Sequence, residues 1–170
     1  EEFNSLYIGV GNGAPWPREI RSPGGGDDLF LSSIVSVDVE TGRMNWYYQT
    51  VPGDNWDFSS AMDMTLGEIE LNGEERKVLL QAPKNGFFYI LDRATGRFIN
   101  GEPYIDLNWA EGLDDVGRPI FTPQPPGTTT YPGVQGGTNW YSPSYSPSTR
   151  LFYLSTWEGN GSNFEAQEAE

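Results

Sequence analysis

The chain has 170 residues with 10 Lys and Arg against 24 Asp and Glu, and its net charge of −14, with no stretch of more than two adjacent basic residues, excludes nucleic acid and disfavours an anionic membrane surface. It has no Cys and no His, so disulfides, thiolate or imidazole metal sites and the Ser-His-Asp and Cys-His triads are excluded; any metal is held by oxygen, as Ca²⁺ or Mg²⁺ would be. Hydrophobic residues make up only 36% beside 21 Gly and 13 Pro, yet 14% aromatic residues rule out disorder and leave a β-rich protein with many short strands and tight turns.

Short apolar or alternating runs between turn signals predict strands over 5–11, 29–37, 44–50, 61–70, 77–81, 86–92, 140–145 and 151–156. No apolar run is long enough to span a membrane, and no signal peptide is visible. The first residues run straight into a strand without an initiator Met, and 165–170 stop without a closing strand. The expectation is one partial domain over 1–170, incomplete at both ends.

Two features repeat. Strand starts at Leu6, Leu79 and Leu151 lie 73 and 72 residues apart, and Val37-Asp38-Val39-Glu40-Thr41-Gly42-Arg43 returns 54 residues later as Leu91-Asp92-Arg93-Ala94-Thr95-Gly96-Arg97. In the second unit a strand ends at Asp, whose carboxylate accepts backbone N–H groups, and Gly takes the left-handed position before the return strand. Recurrence of strand, hairpin and long insertion points to a propeller whose blades carry long Gly/Pro-rich loops, over 13–28 and 111–137. Asp27 and Asp28 read as a solvated turn, and Trp46 and Trp109 as blade packing.

The stretch from Val37-Asp38 to Trp46 resembles the tryptophan-docking signature of the eight-bladed quinoprotein dehydrogenases. Gly11-Asn12-Gly13-Ala14-Pro15-Trp16, Arg21-Ser22-Pro23-Gly24-Gly25-Gly26-Asp27, Pro52-Gly53-Asp54-Asn55-Trp56-Asp57 and Ala82-Pro83-Lys84-Asn85-Gly86 follow in an order similar to the central part of the pyrroloquinoline-quinone (PQQ) dependent alcohol dehydrogenases of methanol and ethanol dehydrogenase type. The resemblance implies an all-β fold, about three blades of an eight-bladed propeller.

It also implies a site. Asp57, a carboxylate between Trp56 and Phe58, matches the Asp that takes the alcohol proton and lies near or on the metal; read from composition alone, it caps a turn. Asp54 fits a turn position and takes a structural role. Asn12, Gly-flanked at a strand end, matches a Ca²⁺-binding Asn, although a Gly-Asn-Gly turn needs no ligand. Lys84 matches a cation on the cofactor, where a lone strand-end Lys is otherwise solvated. Asn139 and Trp140 match an Asn-Trp pair on the cofactor rim, with a buried Trp and a turn Asn as the alternative. Ser59 stands where lanthanide-using members carry an extra Asp, which favours Ca²⁺.

The implied activity is oxidation of a primary or other small alcohol to the aldehyde by hydride transfer to Ca²⁺-bound PQQ. Electrons pass on to a cytochrome c or an attached haem c domain, in the periplasm, and the isolated piece is expected to be inactive. A non-catalytic propeller scaffold and a sugar-oxidising quinoprotein are the competing readings.

Overall fold

The computed structural model describes residues 2–164, and they are nearly all β. Strand β1 (Ser5–Gly9) is followed by a single helical turn α1 (Arg18–Arg21), then β2 (Ser33–Asp38) and β3 (Met44–Gln49), which complete an antiparallel three-stranded sheet in sequence order. Strands β4 (Thr65–Leu71), β5 (Glu74–Gln81), β6 (Phe87–Asp92) and β7 (Phe98–Pro103) form a four-stranded antiparallel meander, the sheet of one complete propeller blade. Beyond it, β8 (Ala110–Leu113) pairs with β9 (Pro119–Phe121), β10 (Thr129–Thr130) with β13 (Ser162–Asn163), and β11 (Ser144–Ser146) with β12 (Leu151–Tyr153). Among the described residues no helix is long and apolar enough to cross a membrane.

The repeated hairpin has the chemistry its sequence predicts. Asp38 Oδ1 accepts the Thr41 hydroxyl at 2.7 Å and the Thr41 N–H at 2.8 Å; Asp92 Oδ1 accepts the same two groups of Thr95 at 2.7 and 2.9 Å. Gly42 and Gly96 take φ of 68° and 70°, and each donates to the carbonyl of its Asp at 2.8 Å. The Thr41 hydroxyl, then its N–H, hold the Asp38 carboxyl below the usual carboxylate range.

These turns lock neighbouring sheets together. Trp46 of β3 lies flat on Gly96, so closely that a Cβ there would enter the indole ring. Tyr7 of β1 packs on Trp46 with ring centroids 5.6 Å apart, and its hydroxyl donates to the Arg93 carbonyl at 3.1 Å. Alternation along β6 buries Phe87, Tyr89 and Leu91, whereas β5, covered on both faces, buries Val78, Leu79, Leu80 and Gln81 in succession.

Several boundaries differ from those predicted, for local reasons. The strand expected over 29–37 begins only at Ser33, because Asp28 and Ser32 have positive φ. The one expected over 140–145 pairs only at Ser144–Ser146: Pro143 has no N–H to offer a ladder, and Trp140 stands 85% exposed. Strand β5 reaches back to Glu74 through a two-residue Asn72-Gly73 turn, φ 53° and 81°. The loop expected over 111–137 holds the β8–β9 hairpin and β10. Its turn is built on Asp114, whose Oδ1 accepts the N–H groups of Val116 and Arg118 at 3.0 and 2.8 Å, without the Thr that marks the other two.

Asp28 is not solvated as expected, whereas the Asp27 side chain remains 36% exposed. Asp28 pairs with Arg21 at 2.9 Å, both side chains largely buried, and Asp27 receives both arms of Arg118 at 2.7 and 2.9 Å. Arg118 holds the Asp27 carboxyl below the usual range. Arg21 also donates to the carbonyls of Pro15, Trp16 and Asp54, so one guanidinium ties the long loop to the segment carrying Asp57.

Replacing Gly96 by Ala adds a clash with Trp46 to the left-handed strain and is expected to lower stability by about 2–4 kcal/mol. Gly73→Ala, where an added Cβ meets nothing, carries the strain alone, about 1 kcal/mol. Urea unfolding of the two variants measures the difference, and equal losses would show that the docked indole contributes nothing.

Candidate active site

Three segments converge at one end of the two main sheets. The first follows β1: the Val10 carbonyl accepts from Ser60 N–H at 3.0 Å and the Gly11 carbonyl from Ser32 N–H at 2.9 Å, so Asn12 emerges beside the start of the 57–60 segment. The second is that segment itself, held by a 2.6 Å bond between the Thr50 and Ser60 hydroxyls and by the Gln81 amide on the carbonyls of Ser60 and Met62 at 2.7 and 2.8 Å. The third is the turn between β5 and β6, carrying Lys84.

Lys84 and Asp57 meet. Lys84 Nζ lies 3.0 Å from Asp57 Oδ2 and donates to the Asp57 backbone carbonyl at 2.6 Å; the side chains are only 8% and 18% exposed. A Lys at the end of a strand is here a largely buried cation with a named counter-charge. Among the described residues both of its hydrogen bonds go to Asp57, which leaves one ammonium N–H for a ligand. Asp57 has φ of 62°, a left-handed conformation that costs a non-glycine residue about 1–2 kcal/mol.

The turn under Lys84 is fully anchored. Asn85 is buried; its Nδ2 donates to the Tyr89 hydroxyl at 2.8 Å, its Oδ1 accepts Phe87 N–H at 3.1 Å, and its carbonyl accepts the indole N–H of Trp109 at 2.8 Å. The Tyr104 hydroxyl donates to the Pro83 carbonyl at 2.6 Å. On the opposite side Trp56 and Phe58 pack on Trp109 with centroids 5.1 and 5.3 Å away.

The 136–140 segment lies across the stem of Lys84. Gly137 N–H donates to the Lys84 carbonyl at 2.9 Å, and a Cβ on Gly136, φ 79°, would sit 2.6 Å from Lys84 Cβ. Asn139 follows, with Nδ2 on the Gln135 carbonyl at 2.9 Å and a buried Oδ1 that has no partner. Trp140 projects outward rather than lying buried in a blade. Asn12 is exposed, its amide on the Gly13 carbonyl at 3.4 Å, and is not hydrogen-bonded to Asp57. The Ser59 hydroxyl faces the Met62 sulfur at 3.9 Å. A cleft of about 630 Å³ bounded by Trp16, Trp56, Gln124 and Phe164 has neither Asp57 nor Lys84 in its walls.

The buried carboxylate of Asp54 was legible only as a turn residue. It is 1% exposed; Oδ1 accepts the N–H groups of Trp56 and Phe58 at 3.1 and 3.2 Å, and Oδ2 has no partner. Burial pushes its carboxyl up to about 7, against the pull of those two N–H groups and of Arg21. The spacing of Asp54 to Asp57 carries no signal of this burial; Arg21, 33 residues away, donates to the Asp54 carbonyl.

Residues 1–101 match the family described as "PQQ: Glucose/ethanol/alcohol dehydrogenase, beta-propeller domain". The chain is 47% identical over 161 residues to a quinohemoprotein alcohol dehydrogenase of Comamonas testosteroni, covering 90% of this chain and 22% of that protein. It is 48% identical over 145 residues to a 1-butanol dehydrogenase (cytochrome c) of Thauera butanivorans, covering 83% and 21%. The chain thus spans about a fifth of the length of the curated relatives it matches. Among solved structures, the quinohemoprotein alcohol dehydrogenase of Comamonas testosteroni superposes with a TM-score of 0.87 at 46% identity, covering 90% of this chain and 23% of that one. A europium-containing methanol dehydrogenase superposes with a TM-score of 0.85 at 31% identity, over 91% and 28%.

The raised pKa of Asp54 sets a pH dependence. Its folded value lies above its unfolded one, so the native state holds the extra proton between about pH 4 and 7, and the stability contributed there is lost as pH rises through that window. Asp54→Asn keeps the two accepted bonds without a charge to bury. In the metal-free full-length protein its Tm advantage over wild type is expected to grow from pH 5 to pH 8, corresponding to roughly 2–4 kcal/mol. An advantage independent of pH would refute the buried, proton-holding carboxyl.

Proposed function

The chain belongs to the PQQ-dependent glucose/ethanol/alcohol dehydrogenase β-propeller family, and on that premise we propose that it carries the general base and a cofactor-facing cation of an enzyme oxidising small alcohols to aldehydes. The observation that carries the reading is the Lys84–Asp57 pair: a largely buried cation and carboxylate at 3.0 Å, at the loop end of the blades, with Lys84 keeping one N–H in reserve. What favours an enzyme over a non-catalytic scaffold is that this pair joins the two positions to which the resemblance assigns the base and the cofactor-facing cation, whereas a partly buried pair seldom adds to stability.

The residues present fit the implied group by their chemistry. The donors are all oxygen, the Asp57 carboxylate and the Asn12 amide, as a hard cation requires, and Asn139 presents a buried carbonyl oxygen lacking a partner. Among the described residues no three acidic side chains cluster to form a closed metal cage. Asp57 and Asn12 would therefore hold Ca²⁺ as two donors of a larger shell, and Lys84, Asn139 and Trp140 would face PQQ. Ser59, turned to Met62, adds no charge for a trivalent ion, which favours Ca²⁺ over a lanthanide.

When bound, Ca²⁺-PQQ supplies an electrophilic carbonyl that accepts hydride from the alcohol carbon. The protein's part is the proton: the Asp57 carboxylate removes it from the alcohol hydroxyl as hydride departs, so that the carbon loses two electrons and becomes the aldehyde. Lys84 holds that carboxylate through Oδ2 and its backbone through the carbonyl, and its remaining N–H would be available to hydrogen-bond a cofactor oxygen. Trp56 and Phe58, packed on Trp109, anchor the segment that carries the base. A cytochrome c or haem c acceptor and a periplasmic setting, both implied by the resemblance, belong to the same reading.

The test is reconstitution of the full-length protein with PQQ and Ca²⁺, read by alcohol-dependent reduction of a phenazine dye, with ethanol compared against glucose. Ethanol is the expected substrate; dye reduction with glucose alone would make the protein a sugar oxidase, and none with either would overturn the enzyme reading. Asp57→Asn is expected to lower kcat by at least about 10²-fold at unchanged far-UV dichroism. Lys84→Met, which leaves Asp57 unpaired, is expected to lower kcat by about 10-fold or more, measured by the same dye assay.

A further inference from the structure

We propose that Asp54 is a positioning residue for the base: its Oδ1 pins the backbone amides on both sides of Asp57 and so holds Asp57 in the left-handed turn that aims its carboxylate at Lys84. The inference rests on the reading of Asp57 as the base.

Two donors separated by one residue, Trp56 N–H at 3.1 Å and Phe58 N–H at 3.2 Å, converge on a single oxygen. A backbone can satisfy both only by curling around that oxygen, and the residue at the crest of the curl is Asp57, with φ of 62°. Trp56 and Phe58 send their rings together toward Trp109, while Asp57, between them, reaches Lys84. Without the two bonds nothing local favours the left-handed conformation, since Asp57 has a Cβ and its own carboxylate is engaged by Lys84.

Asp54 is itself held on several sides. It is 1% exposed, its carbonyl accepts Arg21 Nη2 at 2.6 Å, and Arg21 is in turn held by Asp28 and by the carbonyls of Pro15 and Trp16. The long loop of 13–28 thus fixes the post that fixes the base. The unpartnered Oδ2 shows that a carboxylate is more than the turn needs, because an amide oxygen would accept the same two bonds. This makes Asn the discriminating substitution.

The experiment compares Asp54→Ala and Asp54→Asn in the full-length protein. It reads kcat and KM for ethanol in the holoenzyme, and amide hydrogen exchange over 55–58 and Ca²⁺ affinity in the protein without added metal. Asp54→Ala is expected to lose protection at Trp56 and Phe58, to lower kcat about 10–100-fold with KM changed less than threefold, and to weaken Ca²⁺ binding about tenfold. Asp54→Asn is expected to keep that protection, Ca²⁺ affinity and at least a third of kcat. Loss of protection in Asp54→Ala with kcat within twofold of wild type overturns the proposal. So does a loss of more than tenfold in Asp54→Asn with protection intact, a result that decides the matter even when Asp54→Ala does not fold. Exchange and Ca²⁺ affinity need no turnover: a wild type inactive on alcohols would sink the proposed function, while unchanged protection and Ca²⁺ affinity in Asp54→Ala would sink the pinning by Asp54.

Discussion

The indole of Trp109 is the contact on which the site depends. One face and edge of it receive Trp56, Phe58, Phe87 and Phe121, all with centroids within 5.9 Å, and its N–H is spent on the Asn85 carbonyl. Trp56 and Phe58 flank Asp57 in the chain; Asn85 adjoins Lys84. A single buried ring therefore positions both halves of the charged pair, although it comes from a third segment. Aromatic packing of this kind is tolerant of neither a smaller ring nor a lost N–H partner, because the cavity and the orphaned carbonyl would both fall directly beneath the pair.

Above that ring the structure accepts local costs. Asp57 is left-handed, Asp54 is a buried carboxylate with an idle oxygen, and Lys84 is a cation with little access to water. Each is unfavourable alone and each is surrounded by rigid, well-bonded structure: the docked Trp46, the Asp–Thr–Gly turns and the Arg21 clamp. Left-handed residues occur elsewhere in the chain, at Asn72 and Arg150 among others, but here one coincides with a largely buried ion pair and a buried carboxyl, a combination that suits a site where orientation matters more than stability. The propeller geometry suits it, since the sheets supply stiffness and the connections at their strand ends supply the side chains.

How much of this could be read beforehand depends on the range of the interaction. The Asp38 and Asp92 turns are legible in their carboxylate acceptor and left-handed Gly, because these lie within five residues; the Thr41 and Thr95 hydroxyl bonds are added by the structure. Docking of Trp46 followed from the resemblance of its motif. The nearness of Lys84 to Asp57 was implied only through family positions, 27 residues apart, and their direct bond was not. The Asp114 turn has no Thr to mark it, and the ion pairs of Asp27 and Asp28 leave no local signal because their arginines lie 91 and 7 residues away, respectively.

By itself the sequence determined the chemistry available: oxygen ligands only, no imidazole or thiolate, an acidic surface, and short strands punctuated by Gly and Pro. These follow from residue types and from spacings of a few residues, where backbone geometry leaves little choice. The tertiary structure alone decided which groups lost their water. Asp54 became a buried post, Lys84 a paired cation and Trp140 an exposed ring, because burial and charge pairing are set by neighbours far along the chain, and desolvation is what turns an ordinary Asp or Lys into a functional one.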